Sequence, residues 1–248
     1  MRRPVYLLVV GFVFAVGLAG AYLLVADANH TAVPPPAVDE GDDAAIVEQA
    51  IEHLHNEDYR AEILIGWSND TAGESGSKPE LQRETTARIQ NAEHRALIVH
   101  HDRERELYVT LAHSWHRFDD SDWRTYRSTE WQSDRVNPLT RPDEIEESAV
   151  ERIRETEETV VFEITDPDTA GAIHGAFETY ENPTLELTLD RDSGTLIDVL
   201  LVDELSETNE VVHHAIQIED LGAVDVERPD DLSVSFTEWV KMRYYELR

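Results

Sequence analysis

Stretch after stretch of this chain places an apolar side chain at every second residue. Tyr59, Ala61, Ile63, Ile65 and Trp67 alternate with more polar neighbours, and Leu107, Val109, Leu111, His113 and Trp115 read as a second run of the same kind. Val160, Phe162 and Ile164 form a third, and Leu185, Leu187 and Leu189 a fourth. A period of two sends successive side chains to opposite faces of an extended strand. Each run therefore predicts one buried and one wetted face, the pattern of an antiparallel sheet. Leu189 meets a further strand, residues 195–202, across Asp190-Arg191-Asp192-Ser193-Gly194, whose residue types are those of a hairpin turn. Residues 211–219 add another strand.

Three segments break this pattern with helical spacing. Ile46, Val47, Ala50, Ile51 and Leu54 recur on one side of an amphipathic helix over 44–56, behind a capping Asp42-Asp43 pair. A shorter helix is predicted over about 169–180, opened by Asp166-Pro167-Asp168, and a carboxy-terminal one from Phe236. Helices and strands do not alternate at the lengths a parallel sheet requires. The predicted fold class is α+β: an amino-terminal transmembrane helix, then a curved, mostly antiparallel half-barrel sheet carrying an amphipathic helix and short helices.

The transmembrane helix is read from residues 5–26, an apolar run without a charge that follows Arg2 and Arg3 and is closed by Asp27. Such a run spans the roughly 30 Å hydrocarbon core. The two leading arginines and the acidic far side orient residues 1–4 as a cytoplasmic tip and everything after the span as extracytoplasmic. The competing reading is a cleaved signal peptide, since Ala26-Asp27-Ala28 supplies small residues for cleavage. Residues 27–43, with Pro34-Pro35-Pro36 and an acidic end, are expected to form a linker, and 44–248 the β-rich domain. Asn29-His30-Thr31 and Asn69-Asp70-Thr71 are glycosylation sequons, making Asn29 and Asn69 candidate attachment sites.

Charge narrows the partners. The 248 residues carry 52 Asp and Glu against 21 Lys and Arg, a net charge of −31, and only Lys78 and Lys241 are lysines. Nucleic acid is excluded as a partner on this balance, because phosphate neutralisation needs clustered cations. Acid in excess with lysine scarce is the composition of a protein adapted to very high salt. Removing residues 1–26 also removes Arg2 and Arg3, so the remainder has 52 acids, 19 cations and a charge of −33. At molar salt the Debye length shrinks to roughly 3 Å and this self-repulsion is screened. The domain is accordingly expected to melt at a clearly higher temperature in molar KCl than in dilute buffer, and a melting temperature indifferent to salt would contradict the halophilic reading.

The order of elements also supports a resemblance. A helix leading directly into a first strand (residues 44–67) is followed by hairpins at Glu106-Leu107-Tyr108-Val109, Trp115-His116-Arg117-Phe118 and Trp123-Arg124-Thr125-Tyr126. The paired strands of LELTLDRDSGTLI at 185–197 come next. This order resembles the lipoprotein-carrier half-barrels of the LolA and LppX type over residues 44–229. The resemblance implies an exported or membrane-tethered protein whose curved sheet holds acyl chains or lipidated partners in an apolar hollow. The chain departs from a lipid-modified carrier in having no cysteine at all.

Chemistry beyond binding finds little support. The absence of cysteine removes disulfides, thiolate metal sites and cysteine nucleophiles. Eleven histidines include His100-His101, His113 with His116, and His213-His214, but strand neighbours point to opposite faces and no HExxH spacing occurs. Gly73-Glu74-Ser75-Gly76 lacks the spacing of a nucleophile elbow, and no glycine loop suits a phosphate, so no catalytic residue, metal or cofactor is expected. Trp115, Trp123 and Trp131, eight residues apart, are either core aromatics of hairpin strands or the aromatic wall of a ligand hollow, and they are the candidate ligand-binding residues. The carboxy-terminal helix would carry Phe236, Trp239, Val240 and Arg243 on one side, for docking on the sheet or contact with membrane or partner. The expected function is that of a membrane-anchored extracytoplasmic protein, single-pass in the cell membrane, holding a lipid-like or other apolar molecule. The alternative is a non-catalytic interaction module with an envelope protein as partner.

Overall fold

A computed structural model describes residues 33–39, 41–69, 80–110, 113–119, 121–126, 136–175, 180–205 and 210–234. The predicted span at 5–26, Asn29, Trp131 and the predicted helix from Phe236 lie outside them. Among the described residues no helix is long and apolar enough to cross a membrane. The compact unit they form is Val33–Ser233.

The unit is built on one eleven-stranded antiparallel sheet. In chain order its strands are β1 Tyr59–Asn69, β2 Glu80–Gln90, β3 Arg95–His100, β4 Arg105–Thr110, β5 Ser114–Phe118, β6 Arg124–Tyr126, β7 Glu151–Glu155, β8 Thr159–Ile164, β9 Pro183–Asp190, β10 Leu196–Leu205 and β11 Glu210–Glu219. Their order across the open, curved sheet is β6-β5-β4-β3-β2-β1-β11-β10-β9-β8-β7. Every connection but one joins neighbours. The exception carries the chain from β6 to β7 at opposite edges, through a stretch that includes 136–150, and β1 pairs with β11 at the centre.

Helix α1, Asp43–Asn56, starts where the sequence places it. Asp42 Oδ1 accepts the Ala45 amide at 2.8 Å, the side-chain cap that satisfies an otherwise orphaned donor. The Ala44, Ile46, Val47, Ala50, Ile51 and Leu54 side of α1 is buried on one face of the sheet, the inner face. Tyr59, Ala61, Ile89, Phe162, Leu185, Leu187, Leu189, Val199, Leu201 and Ile216 supply the facing core. Helix α2, Pro167–His174, begins with Asp166 accepting the Thr169 amide at 2.8 Å and with Pro167 in its first turn. It is shorter than the predicted 169–180 because Gly175, at φ 59°, turns left-handed and closes the last turn onto the Gly171 carbonyl.

Two further local expectations are refined. The run Leu107 to Trp115 is two strands rather than one, because the chain reverses between Thr110 and His113, whose backbone groups bond at 2.9 Å. In addition, Val33–Asp39 packs on the domain instead of standing away from it. Val38 is buried, the Val33 carbonyl lies 2.7 Å from His53 Nδ1, and Gln49 donates to the Pro34 carbonyl. Gly194, at φ 70° in the predicted Asp190–Gly194 turn, admits this segment. A side chain there would put its Cβ 2.0 Å from the Pro36 carbonyl oxygen.

Candidate functional site

Residues directly opposite one another on paired strands share a face. Following the register therefore sorts every side chain to the inner, helix-bearing face or to the outer one. Tyr59, Ile89, Ala96 and Val109 form one inner row, while Arg60, Arg88, Leu97, Tyr108 and Trp115 form an outer one.

Trp115 is thus buried on the outer face, stacked on Tyr108 and on His113 with ring centroids 5.6 Å apart in both pairs. The segment after β11 runs over that face. Val226 donates its amide to Gln90 Oε1, and Val226 and Leu232 are buried along the way. Asp231 pairs with Arg117 and accepts the Trp123 indole N–H at 3.0 Å, with the Arg117 guanidinium 4.9 Å from the Trp123 ring centre. The structure therefore brings Trp115 and Trp123 together as parts of a strapped outer layer, on the side away from α1. Asn69 is the last residue of β1.

The inner face divides into two regions. Over β8–β11 it is filled: Phe162, Leu185, Leu187 and Leu201 are wholly buried beneath the helices. Over β1–β6, toward the ends of the strands that lie away from Tyr59, it is only partly covered. Ile63, Ile98 and Leu107 are half-buried there, Trp67 and Ile65 likewise, and Phe118 is 42% exposed. Around this apolar floor the register collects Thr85, His100 and Arg105 in one row, with His116 and Arg124 beside them. Arg105 donates from Nη2 to His116 Nδ1 at 2.8 Å, and its guanidinium lies 5.3 Å from the Phe118 ring centre. Thr85 Oγ1 and His100 Nδ1 are 2.9 Å apart. Arg83 stands 5.5 Å over Trp67. Burial lowers the pKa of His100 and of His116, and the positive charge of Arg105 beside each lowers it further. Both imidazoles are thereby disposed to be neutral, and His116 Nδ1 serves as the acceptor of the bond from Arg105.

A second histidine pair is separate. His174, at the end of α2, and His214, on the inner face of β11, meet edge to face with ring centroids 4.3 Å apart. His174 Nδ1 lies 2.8 Å from the Tyr180 hydroxyl, while His174 Nε2 and both His214 ring nitrogens are buried without a hydrogen-bond partner among the described residues. Burial pushes His174 down to about 3 and His214 down to about 4. Among the described residues no three His, Asp or Glu side chains converge as metal ligands. The clefts they line at Arg60, Arg88 and Asp225, of about 250 Å³, and at Glu48, Arg141 and Asp143, of about 360 Å³, are polar and lie off the apolar floor.

Sequence reasoning missed the Arg105, His100, His116 and Phe118 group. The alternation marks Leu107 and Val109 but not which polar residues share their face across four hairpins.

The sheet is thus open and antiparallel, with helices on one face and a half-covered apolar floor. A LolA superfamily protein from Nitrosomonas europaea is similar at 9% identity and TM-score 0.34, covering 78% of this chain and all of that one. MucB is similar at 16% identity and TM-score 0.34, and MucB in its complex with MucA from Pseudomonas aeruginosa at 14% and 0.32. Each of these matches covers 78% of this chain, which spans 63% and 61% of those MucB chains. No protein-family model matches the chain, and no curated protein matches it.

Proposed function

We propose that the protein is a membrane-anchored, extracytoplasmic binding protein that holds a lipid-like or other apolar ligand against the inner face of β1–β6. The observation that carries this reading is the uneven covering of that face. The β8–β11 half is sealed, whereas Ile63, Ile98 and Leu107 stay half-buried and Phe118 remains 42% exposed. A concave apolar surface ringed by a few polar groups is the usual form of a small-molecule site. Anchoring rests on the charge-free run at 5–26 behind Arg2 and Arg3.

A second reading, an interaction module for an envelope protein, is favoured by a different observation: two clefts lined by described residues, at Arg60 and Arg88 and at Glu48 and Arg141, are more polar than apolar. Native mass spectrometry of the full chain, purified in high salt from its own membranes, separates the two. Co-purified lipid is expected, together with stabilisation of about 2.7 kcal/mol at a hundredfold excess of ligand over Kd. Phe118→Asp should remove both. An absence of bound lipid and of any shift across a lipid and detergent screen would favour the interaction module. The anchor is tested by protease added to intact cells, which should release the domain; a mature chain beginning at Asn29 would identify a cleaved signal peptide instead.

A further inference from the structure

A chain with a net charge of −31 has carboxylates to spare for its cations. On the outer face it uses them: Arg60 pairs with Glu219, Arg117 with Glu106 and Asp231, and Arg154 with Glu186. On the inner face Arg152 pairs with Asp43 beside α1. The exposed Arg88, Arg141 and Arg228 go without a carboxylate among the described residues, as water allows, and so do the exposed Arg83 and Arg124 at the apolar floor. Arg105 is the arginine that goes without one while half-buried. Arg105 is half-buried, and its Nε is shielded from solvent without a hydrogen-bond acceptor. Among the described residues its charge is met by the His116 nitrogen and by the face of Phe118.

Leaving a guanidinium partly desolvated and uncompensated is costly unless something else supplies the anion. Guanidinium is also the side chain best matched to a two-oxygen anionic group, through parallel N–H donors. The neighbouring imidazoles compete little for that anion as cations, because burial, and then the charge of Arg105, disfavour their protonation. Ile63, Ile98 and Leu107 lie on the same face within the rows next to Arg105, so an acyl chain on them would carry its head to the arginines.

We infer that the ligand is a single-chain anionic amphiphile, its tail on Ile63, Ile98 and Leu107 and its phosphate or carboxylate head held by Arg105, with Arg83 and Arg124 beside it. This rests on the binding reading above and adds to it the charge of the head. A cationic head is excluded by repulsion, and a neutral carbohydrate head would leave the half-buried Arg105 charge unmatched.

The test uses the full-length chain in phosphatidylcholine nanodiscs at one fixed salt concentration, with empty nanodiscs as blank, and titrates decyl phosphate, decyl maltoside and inorganic phosphate by calorimetry. Decyl phosphate should bind about tenfold or more tightly than decyl maltoside, the gain of a charge-assisted hydrogen bond, and inorganic phosphate should give no measurable binding. Arg105→Gln should bring the ratio of the two amphiphiles close to one, and Arg105→Lys should keep part of it. Should Arg105→Gln lose its cooperative melting, Arg124→Gln replaces it: that side chain is exposed, and its loss should cut the preference severalfold. Equal affinity for both amphiphiles in the parent protein would overturn the anionic head and leave the apolar floor standing. Binding of neither would overturn the floor as well. Inorganic phosphate binding as tightly as decyl phosphate would show a site for free anions and overturn the amphiphile, and an undiminished preference in both arginine variants would remove the arginines from the site.

Discussion

Lowering the pH from 7 to 4 is expected to destabilise this protein by on the order of 3 kcal/mol for each of His174 and His214. The sign follows from where the protons go. In the fold, burial holds His174 near 3 and His214 near 4, against 6.5 for an exposed imidazole. The unfolded chain therefore takes up protons that the folded one refuses, beginning as the pH falls through 6.5. Stability from this source is complete above 6.5, falls steadily below it, and stops falling only once the folded-state values are passed. His214 is reluctant to charge because neither ring nitrogen has an acceptor, and His174 because its Nδ1 is engaged with Tyr180 and its Nε2 faces no partner. The Asp166 and Asp190 carboxyls, held below 3.8 by hydrogen bonds from Thr169 and Ser193, change stability only at still lower pH. Urea titrations at pH 7, 6, 5 and 4 measure the effect, with the His174→Gln/His214→Leu double variant as comparison. The variant's stability should be flatter between pH 6.5 and 4.5. It should keep some slope, because His100, His116 and His213 are lowered as well. Equal slopes in parent and variant would show that the pair is not what limits acid tolerance.

Replacing Trp115 by alanine is expected to cost about 3–5 kcal/mol of stability, the range for deleting a large aromatic from a packed interior. The ring is 1% exposed and stacks on Tyr108 and His113, so its removal leaves a cavity between sheet and strap. Trp123→Ala should cost less, since that ring is only partly buried and its indole N–H bonds an exposed carboxylate, Asp231. Because both lie on the face away from α1, affinity for an apolar ligand, measured on whatever fraction remains folded, should change little in either variant. Guanidinium melts combined with ligand titrations decide the matter. A Trp115→Ala protein of nearly parental stability but greatly weakened binding would return the tryptophan to the ligand site and overturn the assignment of the open floor to the inner face.

Much of this architecture is written in short stretches of chain. The period-two runs, the Asp42 and Asp166 caps and the Asp190–Gly194 turn each depend on residues within a few positions of one another, and each is found where the pattern indicates. Other features depend on partners that no local pattern identifies. The chain reverses between Thr110 and His113 inside what reads as one alternating run, because the period of two in the sequence continues across the reversal. Likewise Leu107 and Trp115 keep the parity of a single strand but come to lie on opposite faces once the hairpin has formed.

By itself, then, the sequence determined an antiparallel sheet, one amphipathic helix on its face and a strongly acidic charge balance. Only the tertiary structure decided which face each described aromatic joined, that Val33–Asp39 and the strap through Asp231 belong to the domain, and that the half-buried Arg105 lies over Phe118 without a carboxylate among the described residues. The physical reason is one of range. Alternation and capping are satisfied by a residue's immediate neighbours, whereas facing and charge compensation are set by cross-strand register, which joins residues such as Thr85, His100, Arg105 and Phe118 through successive hairpins.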